Sequence, residues 1–276
     1  RGPALANKVI VNGESSGEIT YNRELTFLTG NTAGWHLVSS PVNNETYDND
    51  YATANSLATS STRRGLATYT TTLDSWSYLE DDNSNQGIFK SGTGYSLKRS
   101  LTGSVGFTGT INTAPIGVDT AVILGGTGGF NLVGNPYTSY VNSATFLTAN
   151  TSKLVSETIW LWNPETGNYE TKVTGDGFVL APGQGFFVRA NAANNLNFAE
   201  SNQTSSADTF QKSSKTSIML SMTDSESNRF ARINYLDNAT LGFDNGFDGE
   251  TFGGIPNSID IFTALVSGEE GKKYQR

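Results

Sequence analysis

The chain repeats itself, and this internal duplication restricts its possible folds more than any other feature of the sequence. Residues 34–41 and 129–136 share the pattern Gly, aromatic, any residue, Leu-Val, two small or polar residues, Pro, and their prolines are 95 residues apart. Residues 92–98 and 183–189 share a Gly-x-Gly turn followed by an alternating apolar strand, at an offset of 91 residues. Anchors in the same order and at similar spacing predict two copies of one structural unit.

Further matches and the composition indicate the fold class. The 91-residue offset also carries residues 105–107 onto 196–198, and the segment 76–78 is expected to correspond to 160–162. Short apolar runs interrupted by Gly, Asn, Asp and Thr are typical of strands and turns. The sequence therefore predicts an all-β protein: an internally duplicated β-sandwich or jelly-roll-like module followed by a small β-sandwich-like C-terminal domain. Only residues 142–150 are expected to form a helix.

The predicted domain organisation follows from the two repeats and the segments that flank them. It comprises 1–28 as trailing strands of an upstream β-rich repeat region, 29–112 as the first β repeat, 113–200 as the second repeat packed with the first as one domain, 201–214 as a polar linker, and 215–276 as the C-terminal domain. In that last domain, alternation predicts strands at 217–222, 230–235 and 259–262.

Charge and cysteine content exclude several classes of function. The net charge is −8 and no cluster of more than two basic residues occurs, whereas nucleic-acid binding requires clustered cations, so a nucleic-acid partner is not expected. The absence of cysteine excludes thiol catalysis, disulfides and Cys-type zinc sites. No apolar stretch approaches the roughly 20 residues that span a bilayer, so no membrane-spanning segment is predicted.

Several segments resemble a known family. Residues 129–137, 159–169 and 180–188 are similar to a segment of large surface and secreted proteins of the Bacteroidetes, where it precedes the C-terminal sorting domain of the type IX secretion system. Residues 238–248 resemble the sandwich-like piece that follows it, and residues 18–23 resemble the last rung of an upstream Gly-rich region. The resemblance implies an extracellular or outer-surface location. It also implies that the type IX machinery is a partner, through a sorting domain that this sequence does not include.

No pattern in the sequence supports catalysis. His36 is the only histidine and lies inside a predicted strand, and the second repeat has Asn131 at that position, so we interpret it as structural. The glycine-rich segment 125–129 lacks the Lys-Ser/Thr and the helix of a phosphate-binding loop. The carboxylates that could form a glycosidase pair all fall in polar turns, where nothing raises a pKa for acid catalysis: Glu80, Asp81, Asp82, Glu165 and Asp176. We therefore predict that the chain is not an enzyme.

Acidic loops are candidate metal sites. Asp244, Asn245, Asp248 and Glu250 place several oxygen ligands in a Gly-punctuated loop, which is the chemistry that Ca²⁺ prefers. The spacing is not that of an EF-hand, and the alternative is an Asx turn in which the side chain binds its own backbone. The segment 80–83 is a second cluster with the same two interpretations. No cofactor is required by the sequence, and Ca²⁺ is the one candidate.

Aromatic residues are the candidate ligand-binding groups: Trp160, Trp162, Tyr169, Trp76 and Tyr78. In alternating strands their rings form either a buried core or an exposed platform on which sugar rings stack. The repeated pattern favours a core for the tryptophans, whereas Tyr169 is expected to be exposed at a hairpin tip.

Two functions of different classes follow from these observations. The first is a non-catalytic structural or adhesive module of an exported bacterial cell-surface or secreted protein. The alternative is a carbohydrate-binding module of a secreted polysaccharide-degrading enzyme, with a polysaccharide or cell-surface glycan as its partner.

Overall fold

The computed structural model describes residues 9–10, 15–30, 33–113, 118–123, 128–205, 217–224, 228–236, 239–252, 258–269 and 271–275. The first repeat contains the strands β1 (Glu18–Leu25), β2 (Trp35–Ser39), β3 (Val42–Asn43), β4 (Thr46–Tyr47), β5 (Thr59–Ser60), β6 (Arg63–Thr70), β7 (Ser75–Glu80), β8 (Gly87–Ile88), β9 (Gly94–Lys98) and β10 (Gly103–Ile111), with helix α1 (Asn49–Ala54) after β4.

The second repeat follows the same order of elements. It contains β11 (Val118–Val122), β12 (Phe130–Gly134), β13 (Tyr140–Asn142), helix α2 (Ser143–Ala149), β14 (Thr158–Asn163), β15 (Asn168–Val173), β16 (Val179–Leu180), β17 (Gly185–Arg189) and β18 (Asn194–Phe198). The second repeat is followed by β19 (Gln203–Thr204), β20 (Ser217–Thr223) and β21 (Asn228–Asn234). Two short 3₁₀ helices lie within the second repeat, at Thr151–Lys153 and Thr174–Asp176, and a third lies between β18 and β19, at Glu200–Asn202.

The sheets confirm the duplicated all-β fold. In the first repeat β2, β9, β6 and β7 are hydrogen-bonded in that order, and in the second repeat β12, β17, β14 and β15 are. The antiparallel pairs β1–β10 and β4–β8 have their counterparts in β11–β18 and β13–β16. A short helix follows β4 in one copy and β13 in the other. The two copies therefore share the topology of these strands and of the short helix, whereas β3 and β5 have no strand counterpart in the second repeat.

Each repeat has its own apolar core. The alternate residues of the central strands point inward, and these cores are built around Phe89 and Phe107 in the first repeat and Phe146 and Phe186 in the second. Tyr95 and Phe186, which the 91-residue offset places at the same position, both belong to these cores. Burial of aromatic rings in two separate cores supplies the apolar area that a chain without disulfides requires.

Local sequence signals position the helices and the main hairpin. The Asn142 side chain caps α2 by accepting hydrogen bonds from the backbone N–H groups of Ala144 (2.9 Å) and Thr145 (3.2 Å), so the predicted helix is confirmed. Between β14 and β15, the Asn163 side chain accepts from the backbone N–H of Glu165, and Gly167 has φ +64°, as a tight hairpin turn requires.

Several sequence expectations need correction. Helix α1 was not predicted; its six residues follow Asp48, whose side chain caps Tyr51 N at 2.8 Å, and they are too few to show a helical period. Residues 259–262 are not a strand, and nearby only Thr263 forms an isolated bridge, to Tyr274. An alternating tetrapeptide has too little pairing of its own to define a strand.

The predicted flanking segments are partly ordered against the repeats. β1 pairs along its full length with β10, so the structure places it in the first repeat's sheet. At the start of the predicted linker, β19 pairs with β13, while residues 206–214 lie outside the described part of the chain. Residues 125–127 of the glycine-rich segment also lie outside it. In the C-terminal region, the strands predicted at 217–222 and 230–235 are present as β20 and β21, and the structure pairs them antiparallel.

Candidate functional site

The two repeats bind each other through equivalent backbone groups. Ser39 N donates a hydrogen bond to Gly183 O (2.9 Å), and Gly134 N donates to Gly92 O (3.0 Å). Ser39 and Gly134 end the equivalent strands β2 and β12, and Gly92 and Gly183 begin the two Gly-x-Gly turns. The contact is therefore reciprocal, with each repeat presenting the same surface to the other, as in a two-fold symmetric dimer.

Glycine is required on both sides of this contact for two different reasons. Gly92 and Gly183 have φ +75° and +65°, the left-handed region that glycine adopts without strain. Gly94 and Gly185 need the missing side chain itself. A Cβ at Gly94 would lie 2.6 Å from Leu132 Cγ, and one at Gly185 would lie 2.8 Å from the backbone N and O of Val38. The repeated Gly-x-Gly motif thus allows the two sheets to approach closely.

An aromatic cluster lies between the sheet β2-β9-β6-β7 and the sheet β12-β17-β14-β15, on the faces that point away from the repeat cores. Its buried members are Leu132, Trp160 and Phe187, and its half-buried members are Leu37, Tyr69, Trp76, Phe130, Tyr169 and Phe252. Tyr69 of the first repeat packs edge-on against Phe187 of the second, with ring centroids 4.9 Å apart at 89°. We call this set the inter-repeat aromatic cluster. It joins both repeats to residues 239–252 and 271–275, which we call the C-terminal segment. Its strand residues alternate along the chain with those of the repeat cores.

The strand registers correct one predicted correspondence. Ala67 pairs with Ser96 and Trp160 pairs with Phe187, and the 91-residue offset makes Ser96 and Phe187 equivalent. Trp160 therefore corresponds to Ala67 on β6, and the expected match between residues 76–78 and 160–162 is wrong by one strand. Both segments alternate aromatic and other residues, and a period of two is the same on neighbouring strands.

The corrected register shows a repeated ring pair. Trp76 corresponds to Tyr169, because Tyr69 pairs with Trp76 across β6–β7 just as Trp162 pairs with Tyr169 across β14–β15. Ring centroids are 5.3 Å apart in the first pair and 5.0 Å in the second, and both pairs are edge-to-face. Each repeat therefore contains one Trp–Tyr pair at the same place, with the two residues exchanged between the strands.

The C-terminal segment covers the outer face of the second repeat. Trp160 Nε1 donates to Glu250 O (2.8 Å), and the Phe252 ring lies 4.0 Å from the Tyr169 ring. The Gln275 side-chain oxygen accepts from Thr171 N (2.8 Å) on β15. In this way the segment satisfies a backbone donor of β15 and buries rings that the sheet leaves open.

The predicted ligand-binding aromatics thus have partners within the chain. Trp160 is 1% exposed, and Trp76 and Trp162 are half-buried. Tyr169 is also half-buried, against Phe252, so the expectation that it is exposed at the hairpin tip is wrong. Burial raises the pKa of the Tyr169 hydroxyl well above its usual range. Tyr78 lies apart from the others, packed on Trp35 and beneath the Arg63 guanidinium.

The side chains of the predicted calcium loop point to four different partners. Asp244 accepts from Thr240 Oγ1 (2.8 Å), and Asp248 accepts from Asp244 N (2.7 Å). Asn245 accepts from Glu157 N (2.9 Å), and Glu250 forms an ion pair with Arg189 (2.9 Å). Burial raises the pKa of the Asp248 carboxyl, and this outweighs the hydrogen bond from Asp244 N, which lowers it. The loop is held by its own side-chain-to-backbone bonds and anchored to the second repeat.

The second acidic segment is an Asx turn. Asp82 accepts from Ser84 N (2.8 Å), and the hydrogen bonds from Ser84 lower the pKa of this carboxyl. Glu80 lies on β7 and accepts from Thr62 Oγ1 (2.7 Å). Within the residues that the structure describes, no group of three or more His, Cys, Asp or Glu side chains is arranged to hold a metal ion.

His36 and Asn131 hold equivalent positions in the two repeats and make equivalent hydrogen bonds. His36 Nε2 lies 2.9 Å from Thr26 O, and Asn131 Nδ2 donates to Ile123 O at the same distance. Thr26 and Ile123 directly follow the equivalent strands β1 and β11. Burial lowers the pKa of His36, which keeps the imidazole neutral in the fold. These bonds support the structural interpretation of the histidine.

Sequence reasoning missed Phe252 and Gln275, two of the residues through which the C-terminal segment contacts β15 and its rings. Neither lies in a repeated motif, and single residues in an irregular segment give no periodic signal. Beside Tyr169 there is a cavity of about 50 Å³ whose lining includes Asn168, Glu170 and Arg229. Its volume is enough for a few water molecules.

Comparisons with known proteins identify no relative of this chain. No helix in the described residues has the length and apolarity needed to cross a membrane. The chain matched no protein-family model, no curated protein and no solved structure.

Proposed function

We propose that the chain is a non-catalytic structural or adhesive module of an exported bacterial surface or secreted protein. The observation that supports this best is the reciprocal contact between the repeats, Ser39 N to Gly183 O and Gly134 N to Gly92 O. Together with the inter-repeat aromatic cluster, it joins two sandwiches and the C-terminal segment into one unit. A unit of this kind is suited to act as a spacer or display platform.

The use of the candidate binding groups also favours this function. Trp160 is buried and bonded to Glu250 O, and Glu250 itself is paired with Arg189. Groups that could bind a sugar or a cation thus contact the chain's own residues and hold the segments together. Extracellular placement, with the type IX machinery as partner, is the part of the proposal that depends on the resemblance of residues 129–137, 159–169 and 180–188.

Tryptophan fluorescence tests whether the module is one unit, because each repeat has its own indoles. In variants that keep only Trp35 or only Trp160, with the other three replaced by Phe, the urea midpoint followed by fluorescence should coincide with that of the same variant followed by circular dichroism. Each variant is compared with the wild-type transition followed by circular dichroism, which serves as the control for the substitutions. Two separated transitions would contradict a single structural unit.

Protease accessibility on intact producing cells tests the location. We expect the chain to be cleaved by an added protease on intact cells, and to be retained inside cells that lack type IX secretion. Protection of the chain in intact wild-type cells, with no chain in the medium, would refute export.

The carbohydrate-binding alternative is favoured by one observation, the cavity beside Tyr169, whose lining includes Asn168, Glu170 and Arg229. Ligand sites combine aromatic side chains with a few placed polar groups, and a sugar ring would enter here only after this cavity of about 50 Å³ opens further. Glycan-array binding that disappears in Trp162→Ala and Tyr169→Ala, while Tyr78→Ala binds normally and all three remain folded, would favour this alternative over the first proposal.

Calcium binding at the loop of Asp244, Asn245, Asp248 and Glu250 also remains a proposal. The contact between Asp244 and Asp248 supports it, because Asp248 accepts from Asp244 N at 2.7 Å and a divalent cation would bind carboxylates brought together in this way. A ligand that binds only the folded state raises the melting temperature. We expect Ca²⁺ to raise it relative to EDTA, and Asp248→Asn to remove the difference. Equal melting temperatures in Ca²⁺ and EDTA would refute the site.

A further inference from the structure

Strand β20 is the most exposed apolar element of the described chain. All seven of its residues are exposed, and Ile218, Met219, Leu220 and Met222 are 44, 58, 42 and 41% exposed. Within the described residues its one strand partner is β21, so its other edge has no ladder. An exposed, apolar edge strand is a template for pairing with another polypeptide.

The two strands of this hairpin differ in how they contact the rest of the molecule. On β21, Ala231 is fully buried and Arg229 binds Asp260 and Asn168. Arg232 N, also on β21, donates to Gln275 O. The hairpin is therefore attached to the molecule through β21, and β20 is presented outward.

The sequence of β20 is self-complementary in an antiparallel pairing. Residues 217–223 contain no charged residue, proline or glycine, although the chain as a whole has a net charge of −8. Two copies aligned about Leu220 place Leu220 opposite Leu220 and Ile218 opposite Met222, so that one face of the new pair is a continuous apolar row. No like charges face each other, and such charges would destabilise the pairing.

We propose that β20 is a homodimerisation edge, at which two copies of this chain pair β20 with β20 antiparallel about a two-fold axis at Leu220. The resulting sheet has four strands in the order β21, β20, β20, β21, and closes the exposed edge in both copies. A seven-residue strand is about 24 Å long. The interface is therefore among the small ones, below about 1,200 Å², and the dimer dissociates readily on dilution.

Analytical ultracentrifugation of the whole chain tests the association itself. We expect a monomer–dimer equilibrium between about 1 µM and about 100 µM, the range in which a small interface forms. A monomer over the whole range would overturn the proposal. Open-ended larger species would also overturn it, because a two-fold pairing of edges closes at the dimer.

A single introduced cysteine tests the axis. The chain has no cysteine of its own, and Leu220 is the residue that meets its own copy in this register. Leu220→Cys should therefore form a disulfide-linked dimer on mild oxidation, since directly opposed residues in a pair of strands have Cβ atoms about 4.5–5.5 Å apart and a small shift brings them to the roughly 3.5–4.5 Å that a disulfide spans. Leu241→Cys is the matched control, because Leu241 is more exposed, at 66%, and is outside the hairpin, with its backbone oxygen bonded to Ser267 N. Equal cross-linking of the two variants would overturn the assigned edge.

Charge complementation tests the pairing without a covalent bond. Leu220→Lys and Leu220→Glu should each be monomeric, because like charges would face each other across the axis. An equimolar mixture should restore the dimer. Circular dichroism and melting curves show whether each variant is folded, and the cysteine variant keeps the test decisive if the charged ones do not fold. Folded charged variants that fail to dimerise when mixed would refute β20–β20 pairing.

Discussion

Replacing Gly185 by alanine is the sharpest test of the close contact between the repeats. Gly185 does not have a positive φ, so alanine can adopt its backbone conformation. The added Cβ, however, would lie 2.8 Å from Val38 N and O and 2.9 Å from Leu37 C, all backbone atoms of the other repeat. An ordinary contact is at least 3.4 Å, so the two sheets must separate locally by about 0.6 Å or more.

The expected cost of this separation follows from overpacking in a close-packed interior. Insertion of one methyl group that the surroundings cannot accommodate costs about 1–3 kcal/mol, and the upper part of this range applies because no flexible side chain can move aside. In a chain of this size such a loss lowers the melting temperature by about 2–5 °C. The measurement is urea unfolding followed by tryptophan fluorescence, together with a thermal scan.

A second glycine provides the control for this experiment. Gly106 on β10 also lacks a positive φ, and its nearest neighbour to an added Cβ is the Thr20 methyl at 3.4 Å. Gly106→Ala should be neutral or stabilising by about 0.5 kcal/mol, because alanine restricts the unfolded chain. If Gly185→Ala unfolds within about 0.5 kcal/mol of the wild type, the repeats are not in close contact there. The Gly94→Ala, Gly185→Ala double variant should lose less than the sum of the two single variants, since both substitutions separate the same sheets.

Three further predictions concern the repeat equivalence, the C-terminal segment and a helix cap. Burial holds the pKa of His36 below its unfolded value near 6.5, so the stability that the neutral side chain contributes is present above pH 6.5 and is lost as the pH falls through the folded pKa. His36→Asn, which introduces the residue of the second repeat, should flatten the dependence of the unfolding free energy on pH between about 5 and 7.5. An unchanged slope would argue against a buried imidazole. Trp160→Phe should cost about 1 kcal/mol more than Trp162→Phe in urea unfolding, because Trp160 Nε1 donates to Glu250 O whereas the buried Trp162 Nε1 has no hydrogen-bond partner among the described residues. Equal losses would indicate that the bond to Glu250 O does not form. Asn142→Ala should cost about 1 kcal/mol through loss of the α2 cap, which thermal unfolding detects, whereas no loss would show that packing alone holds this helix.

Much of the fold was readable from the sequence because it is encoded by local patterns. The Leu-Val-x-x-Pro and Gly-x-Gly anchors recur at fixed offsets, and their recurrence identifies two similar units without any knowledge of how those units pair. Strand alternation and the Asn142 cap identify the main strands and one helix. Helix α1 was missed because its six residues are fewer than two turns, so no helical period is visible in them.

The candidate site was predicted less well, for a reason visible in the aromatic residues. Alternation indicates that Trp160 and Trp162 share a face, but it does not say which strand lies beside them or what covers that face. The match of Trp76 to Trp160 was wrong for this reason, because the residue at the position equivalent to Trp76 in the second repeat is Tyr169. The cover itself, Phe252, comes from a segment more than 80 residues further along the chain than Tyr169.

The sequence by itself therefore determined that the chain is duplicated, rich in strands and punctuated by glycine at equivalent places. Only the tertiary structure decided what those glycines are for. Gly92 and Gly183 supply carbonyl groups to the opposite repeat, and Gly94 and Gly185 allow the two backbones to meet. The physical reason is that strand pairing and sheet packing join residues distant in sequence, whereas propensity and periodicity describe neighbours along the chain.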